Sequence, residues 1–355
     1  MLDAYQRAAS VEEVRLRYGG SGRIIKLASN ENPLGTSPKA LAAARGVENL
    51  HLYGDDAFLA LKERFAALRG LAAENVVFGH GSNEIVKLVA ETFLQAGDEA
   101  VIAVPSFALY RLAVAVRNAR AVEVPLRDGV TDLDAMREAI SPRTKLIFVC
   151  EPNNPTGTVV DPLAWSAFVE ALPAHVVLVV DQAYREYASA ASVDAIVHVT
   201  ARPRTLVLRT LSKIYGLAAV RFGYGFADAE TIAVMERVRL PFNVSAPALA
   251  AAAAALDDDE FVRRSIENNE AGKAQLFPAL AALELDAYPT QANFYALAVP
   301  ASATRAYEDL LREGIIVRCG DALRMPGRLR ITIGTKEENA VLLSALERLV
   351  GTWQA

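Results

Sequence analysis

The chain has very little cysteine, with two cysteines among its 355 residues. Cys150 and Cys319 lie far apart, and neither stands in the cysteine and histidine spacing that binds zinc. A disulfide framework and a structural metal site are therefore both excluded, and we expect no metal in the protein. Free cysteines of this kind are typical of a reducing compartment, so the expected location is cytoplasmic.

An excess of positive charge is also lacking, because 37 lysine and arginine residues face 42 aspartate and glutamate residues, for a net charge of −5. Such a chain has no basic field to hold nucleic acid or an anionic membrane surface. The longest apolar run, residues 244–256, is shorter than the roughly 20 residues that span a bilayer. The first 20 residues alternate charged and apolar side chains, unlike a secretory signal. We expect a protein that acts on small molecules.

Short apolar runs rich in β-branched residues recur along the first two thirds of the chain, each followed by helical periodicity. Examples are ENVVFGHGSNEIVKLVAETFL, DEAVIAVPSFALYRLAVAV, TKLIFVCEPNNPTG and HVVLVVDQAY. Apolar strands that alternate with helices predict an α/β fold with a mostly parallel sheet between helices. Ligands bind at the carboxyl ends of such strands. Five residues just past a strand are therefore expected to converge: Gly81, Phe107, Asn154, Asp181 and Lys213.

The composition of the sequence changes after about residue 245, where long alanine-rich helices precede the strand-like segments ANFYALAVP, GIIVRCG and RLRITIGT. This pattern predicts a second, smaller α+β domain. We expect an N-terminal arm over residues 1–29, a large domain over residues 30–245 and a small C-terminal domain over residues 246–355.

A strand-to-helix turn, GHGSNEIVK, places Ser82 and Asn83 near a helix N-terminus, where free backbone N–H groups bind phosphate readily. An ordinary helix start gives the same pattern. Asp181 ends an apolar run, and a buried carboxylate there needs either a cation or strong donors. A cap on the following segment explains it equally well. Tyr184, three residues later, can reach the same region.

The stretch LRTLSKIYGLAAVRFGYG carries Ser212, Lys213 and Arg221 with no carboxylate nearby. Taken alone, Lys213 and Arg221 would be surface residues. Taken with the phosphate turn, the aromatic Phe107, the amide Asn154 and the strand-end Asp181, they form a set suited to one cofactor. Pyridoxal phosphate requires phosphate donors, a stacking ring, a partner for O3′, an anion for its ring nitrogen and an amine for its aldehyde.

The chain resembles the fold-type-I aminotransferases of class I/II, with an aspartate aminotransferase-like fold, and most closely the histidinol-phosphate aminotransferase branch. The segments that carry the resemblance cover nearly the whole chain: KLASNENPLGTSP, FGHGSNEIV, VPSFALY, EPNNPTG, VVDQAY, TLSK with RFGY, PFNVSAPA, ANF and RLRITIGT.

The resemblance implies a role for each cofactor residue. Lys213 would bind the cofactor aldehyde and move the proton during transfer, Asp181 would pair with the ring nitrogen, and Phe107 would stack on the ring. Asn154 and Tyr184 would hydrogen-bond O3′. The phosphate would lie among Ser82, Asn83, Ser212 and Arg221, with Tyr53 donated by the second subunit of a homodimer.

For the substrate, the resemblance makes Arg330 the residue that grips a carboxylate. Strand alternation independently turns Arg330 away from Leu329 and Ile331, toward either a ligand or solvent. Arg318, together with Tyr5 of the arm, would complete one cationic pocket. The implied reaction transfers an amino group from glutamate to imidazole-acetol phosphate in histidine biosynthesis. An aromatic amino-acid aminotransferase is the alternative, followed by a threonine-phosphate decarboxylase.

Overall fold

The computed structural model describes residues 7–19 and 23–354, with the side chain of residue 354 excepted. Over these residues the chain forms twelve strands in three sheets. In chain order they are β1 (Ile25–Lys26), β2 (Val76–Gly79), β3 (Glu99–Val104), β4 (Arg120–Pro125), β5 (Thr144–Cys150), β6 (Val177–Asp181), β7 (Thr205–Thr210), β8 (Gly223–Phe226), β9 (Phe294–Ala298), β10 (Ile315–Ile316), β11 (Arg318–Cys319) and β12 (Arg328–Thr332).

Thirteen α-helices occupy the same described ranges and cover the sheets. They are α1 (Val11–Tyr18), α2 (Pro38–Arg45), α3 (Leu59–Ala67), α4 (Ser82–Phe93), α5 (Leu109–Val116), α6 (Leu133–Glu138), α7 (Pro162–Ala171), α8 (His198–Ala201), α9 (Ala229–Glu236), α10 (Ala246–Ala255), α11 (Asp259–Ala282), α12 (Ala303–Arg312) and α13 (Lys336–Gln354). None of these helices has both the length and the apolar composition needed to cross a membrane.

The large sheet has seven strands in the order β2-β8-β7-β6-β5-β3-β4. All neighbouring pairs are parallel except those that involve β8, which runs antiparallel to β2 and β7. Alternate residues of the central strands enter different cores: Ile147 and Val149 pack on one face, and Leu146 and Phe148 on the other. The prediction of a mostly parallel sheet between helices is confirmed.

The C-terminal strands form a separate antiparallel sheet in the order β11-β12-β9. Its core is built from one side of β12, where Leu329, Ile331 and Ile333 are buried together with residues of α11 and α13. Strand β1 pairs in parallel with β10, so the N-terminal segment is tied to the C-terminal part of the chain. Helix α1 packs on α12 in the same region.

Helix α10 begins the segment that we predicted as the small domain, yet it packs on α2. Its buried alanines, Ala248, Ala251 and Ala252, belong to the core of the large sheet. Leucines of α11, by contrast, belong to the core of the small sheet. The domain limits at residues 30–245 and 246–355 remain a prediction, and these contacts favour a limit after α10.

Replacing Ile147 by alanine tests how far the fold depends on the central strand. Ile147 is completely buried in β5, so the deletion should lower the free energy of unfolding by about 2–5 kcal/mol. Urea unfolding followed by circular dichroism measures the change. The matched control is Val341→Ala on the exposed side of α13, which should change it by no more than about 0.5 kcal/mol. Equal losses in the two variants would contradict the assigned core.

Candidate active site

A cavity of about 470 Å³ opens at the carboxyl ends of the parallel strands. The sequence-predicted residues that line it are Ser82, Asn83, Phe107, Asn154, Asp181, Tyr184, Ser212, Lys213, Arg221, Arg318 and Arg330. They come from the seven-stranded sheet, from the three-stranded sheet and from loops, and the first and last of them lie more than 200 residues apart along the chain. A larger cavity of about 630 Å³ lies beside α1 and α12, but none of these residues lines it. The chemistry therefore concentrates in the smaller cavity.

Of the predicted site residues that the structure describes, Tyr53 does not line this cavity. Tyr53 is 83% exposed and stacks on Phe242, with ring centroids 4.4 Å apart. Tyr5 lies outside the described residues, so its predicted role has no structural counterpart here. Within one chain, the structure thus does not bring Tyr53 to the other cofactor residues.

The N-terminus of α4 lies at the cavity, which its first residues Ser82 and Asn83 line. Gly81 precedes the helix with a left-handed φ of 75°, and no side chain caps the helix start. Gly223 on β8 approaches so closely that a Cβ there would overlap the backbone nitrogen of Ser82. Free N–H groups at a helix start attract anions, so this close approach shapes a small anion cradle.

Side-chain donors face the cradle from the segment that follows β7. The hydroxyl of Thr210 donates to Oγ of Ser212 over 3.0 Å, and the guanidinium of Arg221 approaches the same oxygen at 3.4 Å. Burial lowers the pKa of Arg221, because the charged form loses water. A hydroxyl, a guanidinium and a helix start together suit a phosphate group.

Asp181 ends β6 with its carboxylate in the interior. The hydroxyl of Tyr110 donates to Oδ2 over 2.8 Å, and the backbone N–H of Ala183 donates to Oδ1 over 3.2 Å. Burial raises the pKa of Asp181, although these two donors and the charge of Lys213 act in the opposite direction. No cation forms an ion pair with Asp181 within residues 7–19 and 23–354. A cation supplied from outside would offset the cost of burying this carboxylate.

Lys213 lies in the loop after β7, with its Nζ 5.7 Å from the ring centre of Tyr184. The Nζ donates to the backbone oxygen of Ser29 over 3.0 Å. Burial, with a further contribution from the charge of Arg330, lowers the pKa of Lys213 to about 8. A lysine with such a pKa has a substantial neutral fraction near physiological pH and is a competent nucleophile.

Tyr184 and Asn154 meet at the wall beside Lys213. The hydroxyl of Tyr184 accepts hydrogen bonds from the amides of Asn30, over 2.9 Å, and Asn154, over 3.3 Å. Its own proton remains available for an acceptor in the cavity. Burial raises the pKa of Tyr184, so the hydroxyl stays a neutral donor.

Arg330 on β12 and Arg318 on β11 face each other in register across the small sheet. Both are buried, with Arg330 only 7% exposed. Of the two predicted directions for the Arg330 side chain, toward a ligand or toward solvent, the direction toward solvent is therefore wrong. Its guanidinium donates to Oδ1 of Asn154 over 2.7 Å and to the backbone oxygen of Ala28 over 2.6 Å. Two buried arginines at one wall form a site for an anionic group.

Sequence reasoning missed three residues of this site: Asn30, Tyr110 and Thr210. Tyr110, in the first turn of α5, follows Phe107 by three residues across the turn that starts the helix, so this spacing could have placed it near the same cavity. Thr210 precedes Ser212 by two residues and could have been grouped with it. Asn30 lies in an irregular loop with a left-handed φ of 55°, and no sequence signal points its amide at Tyr184.

The side chains present fit pyridoxal phosphate by their chemistry. The cradle at α4 supplies donors for a phosphate, the buried carboxylate of Asp181 lacks a cation, and Lys213 is a nucleophilic amine. Phe107 at the cavity wall offers an aromatic face. The described part of the chain brings no three histidine, cysteine, aspartate or glutamate side chains together in a group that could hold a metal ion.

Comparisons with known proteins agree with this chemistry. The sequence model of the family "Aminotransferase class I and II" matches residues 22–346. Histidinol-phosphate aminotransferase from Brevibacillus brevis is 43% identical over 98% of this chain and 95% of its own length. The crystal structure of histidinol-phosphate aminotransferase from Sinorhizobium meliloti, in complex with pyridoxal-5'-phosphate, superposes with a TM-score of 0.89 at 26% identity, covering 97% of this chain and 95% of that one.

A third relative shows the fold alone. L-threonine-O-3-phosphate decarboxylase from Porphyromonas gingivalis has a TM-score of 0.83 at 19% identity, over 92% of this chain and 100% of that chain. The family match, which spans most of the chain, and the 43% identity of a full-length relative carry the stronger information. On these grounds the chain belongs to the class I and II aminotransferases.

Proposed function

We propose that this aminotransferase acts on histidinol phosphate. It would transfer an amino group between glutamate and imidazole-acetol phosphate, giving 2-oxoglutarate and histidinol phosphate, in the cytoplasm. The observation that carries the proposal is the buried pair Arg318 and Arg330 at the wall of the cavity that holds Lys213. The 43% identity to a histidinol-phosphate aminotransferase supports the same substrate.

The cofactor is pyridoxal phosphate, as the family and the site chemistry require. When bound, it supplies an aldehyde that bonds to amines and a protonated ring that withdraws electrons from that bond. We assign its phosphate to the Ser82 and Asn83 backbone, Ser212 and Arg221. Phe107 covers one face of the ring, where an aromatic side chain holds a flat group by stacking.

Lys213 is assigned the covalent bond and the proton transfer. When the cofactor is bound, the Nζ would hold its aldehyde in the resting enzyme, and the neutral amine would then move the proton at the substrate Cα. A pKa near 8 suits both tasks, because a base works best when its pKa lies close to the working pH.

Asp181 and Tyr184 are assigned the electronic control of the ring. The Asp181 carboxylate would keep the ring nitrogen of a bound cofactor protonated by pairing with it. Tyr184 and Asn154 would donate hydrogen bonds to O3′ and favour its negative form. Tyr110 keeps the Asp181 carboxylate in place from the opposite side.

The substrate anion is assigned to Arg330 and Arg318, with Tyr5 of the arm as a further contact. Glutamate presents a carboxylate to this pocket, whereas histidinol phosphate presents a phosphate in the equivalent place. A guanidinium accepts either group, because its planar fork matches the oxygen spacing of both. One cationic pocket can therefore serve both half-reactions.

We propose a homodimer with shared active sites on the basis of the surface around Tyr53. Tyr53 and Phe242 form an exposed aromatic stack, next in the chain to the exposed Leu52 and Leu240. Asp56 holds the two segments together, since its Oδ1 accepts from the N–H of Phe242 over 2.7 Å. Such a large exposed apolar group indicates a protein contact, and we propose that it inserts Tyr53 into the partner subunit's cavity.

The pH dependence of cofactor binding tests the assignment of Lys213. Only the neutral amine attacks an aldehyde, so the rate at which the apoenzyme binds pyridoxal phosphate covalently should rise with pH. Its midpoint should lie near 8, well below the roughly 10.4 of an ordinary lysine. Stopped-flow absorbance between pH 6 and 10 gives the midpoint.

The control for this prediction is Lys26, another lysine that lines the cavity. Lys213→Ala should lose all borohydride-fixed cofactor, whereas Lys26→Ala should retain it with the same midpoint. Covalent cofactor in Lys213→Ala would show that another amine forms the bond.

A half-reaction screen tests the proposed substrate. The holoenzyme is mixed separately with histidinol phosphate, phenylalanine, tyrosine, glutamate and threonine phosphate, and the absorbance of the bound cofactor is followed. Histidinol phosphate and glutamate should react fastest. Preference for phenylalanine or tyrosine would favour an aromatic amino-acid aminotransferase instead, and carbon dioxide release from threonine phosphate would favour a decarboxylase.

Arg318→Met is the variant for the same screen. Removal of one guanidinium from a doubly charged phosphate should raise the KM for histidinol phosphate by about 10- to 100-fold. The KM for phenylalanine, whose carboxylate carries one charge, should rise less. Equal increases in the KM for both substrates would contradict the assignment of Arg318 to the phosphate site.

Mixing of inactive variants tests the shared active site. Tyr53→Ala and Lys213→Ala chains, unfolded and refolded together, should form mixed dimers in which one of the two sites is intact. Random mixing predicts roughly a quarter of native activity. The control mixture, Asp181→Ala with Lys213→Ala, has a defect in every cavity and should stay inactive. Absence of recovery in a demonstrated mixed dimer would refute the shared site.

A further inference from the structure

Arg209, on β7, is the largest fully buried side chain in the described part of the chain. It precedes Lys213 by four residues but does not line the cavity. Its neighbours Leu206 and Leu208 pack in the core that contains Cys150, whereas Val207 packs in the core on the other face of the sheet. Strand alternation places Arg209 on the face of Val207, so its charge lies in the interior without reaching the cofactor site.

Three acceptors surround the guanidinium of Arg209. Nη1 donates to Oε1 of Glu186 over 3.2 Å. Nη2 donates to Oδ1 of Asp194 over 2.8 Å and to Oε1 of Gln182 over 3.1 Å. The charges of Glu186 and Asp194 raise the pKa of Arg209 against the effect of its burial. The side chain is therefore a charged fork that holds three points at fixed spacing.

All three acceptors lie on the segment that carries two residues of the site. Gln182 directly follows Asp181, and its backbone N–H donates to the oxygen of Leu208 over 2.9 Å. Glu186 follows Tyr184 by two residues, in a short 3₁₀ turn, Arg185–Tyr187. Gln182 also holds the end of the segment, because its side chain donates to the oxygen of Val193 over 2.8 Å.

Burial of an ion pair is a poor way to gain stability, because apolar residues of the same volume do as well or better. What a guanidinium fork adds is direction, since each N–H must meet its acceptor at a defined place. Here the fork fixes the segment after Asp181 against the strand that leads to Lys213. Tyr184 lies on that segment and Lys213 follows that strand, and both line the cavity. The Lys213 Nζ lies 5.7 Å from the centre of the Tyr184 ring.

We propose that Arg209 is a positioning residue that sets the Tyr184 hydroxyl relative to Lys213 through its bonds to Gln182, Glu186 and Asp194. The proposal rests on the roles assigned above to Tyr184 and Lys213. Arg209 touches neither substrate nor cofactor. Its effect on the reaction passes through the position of the Tyr184 hydrogen bond.

The test measures the midpoint pH of the change in visible absorbance of the bound cofactor, on the holoenzyme without amino-acid substrate. A donor to a negative oxygen favours the deprotonated state, so loss of the Tyr184 hydroxyl should raise this midpoint. Tyr184→Phe is expected to raise it by about one pH unit or more. Arg209→Lys, which keeps the charge but loses the fork, should raise it by about half a unit.

The double variant decides whether Arg209 acts through Tyr184. In the Tyr184→Phe background, Arg209→Lys should cause no further shift, because the hydroxyl it positions is already gone. Arg143→Lys is the matched control, since Arg143 binds the buried Glu99 at the amino end of β3. It should leave the midpoint unchanged. Additive shifts, or an unchanged midpoint in Arg209→Lys, would overturn the proposal.

Glu186→Gln provides a second variant in case Arg209→Lys does not fold. It keeps an acceptor of the same shape but removes the charge that draws the fork to the turn after Tyr184. The midpoint should again rise, and only when Tyr184 is present. If Tyr184→Phe itself leaves the midpoint unchanged, the assigned role of Tyr184 fails and Arg209 fails with it. A shift in Tyr184→Phe without one in the other two variants rejects Arg209 alone.

Discussion

The buried carboxylate of Asp181 is the constraint on which the site depends. It lies in the interior between two neutral donors, and the described residues offer it no ion pair. A buried charge in that position is costly unless a positive group meets it, and Asp181 lines the open cavity from which such a group can reach it. The neighbouring features follow from this arrangement: a nucleophilic amine at Lys213, an anion cradle at α4 and an aromatic wall at Phe107.

Much of this arrangement could be predicted from the sequence, because parallel strands end at one edge. Asp181 ends strand β6 and Lys213 lies in the loop after β7, and that rule alone brings them together although 32 positions separate them. Strand alternation predicts that the Arg330 side chain points away from the core, but alternation does not distinguish a buried ligand site from solvent. That distinction depends on Asn154 and Ala28, which reach Arg330 from other parts of the chain.

The residues that sequence reasoning missed are those whose role depends on a side-chain direction rather than on an element. Tyr110 reaches the site through its hydrogen bond to Asp181, and Asn30 lines the cavity and donates to Tyr184. Arg209 stands within an apolar strand, where a charged residue would ordinarily be assigned to an exposed position. Its acceptors are contributed by the irregular segment after β6, whose path no local pattern predicts. Networks of this kind are specified by tertiary structure and become visible only there.

The pairing of β1 with β10 has a consequence for how the protein is made. These strands lie 290 residues apart along the chain, and Ser29 and Ala28, which follow β1 after Leu27, bind Lys213 and Arg330. During synthesis from the N-terminus, the large sheet can form well before β10 has left the ribosome. The segment that completes the cavity must wait for almost the whole chain. A nascent polypeptide truncated before residue 315 would thus carry the central sheet but have no closed substrate wall.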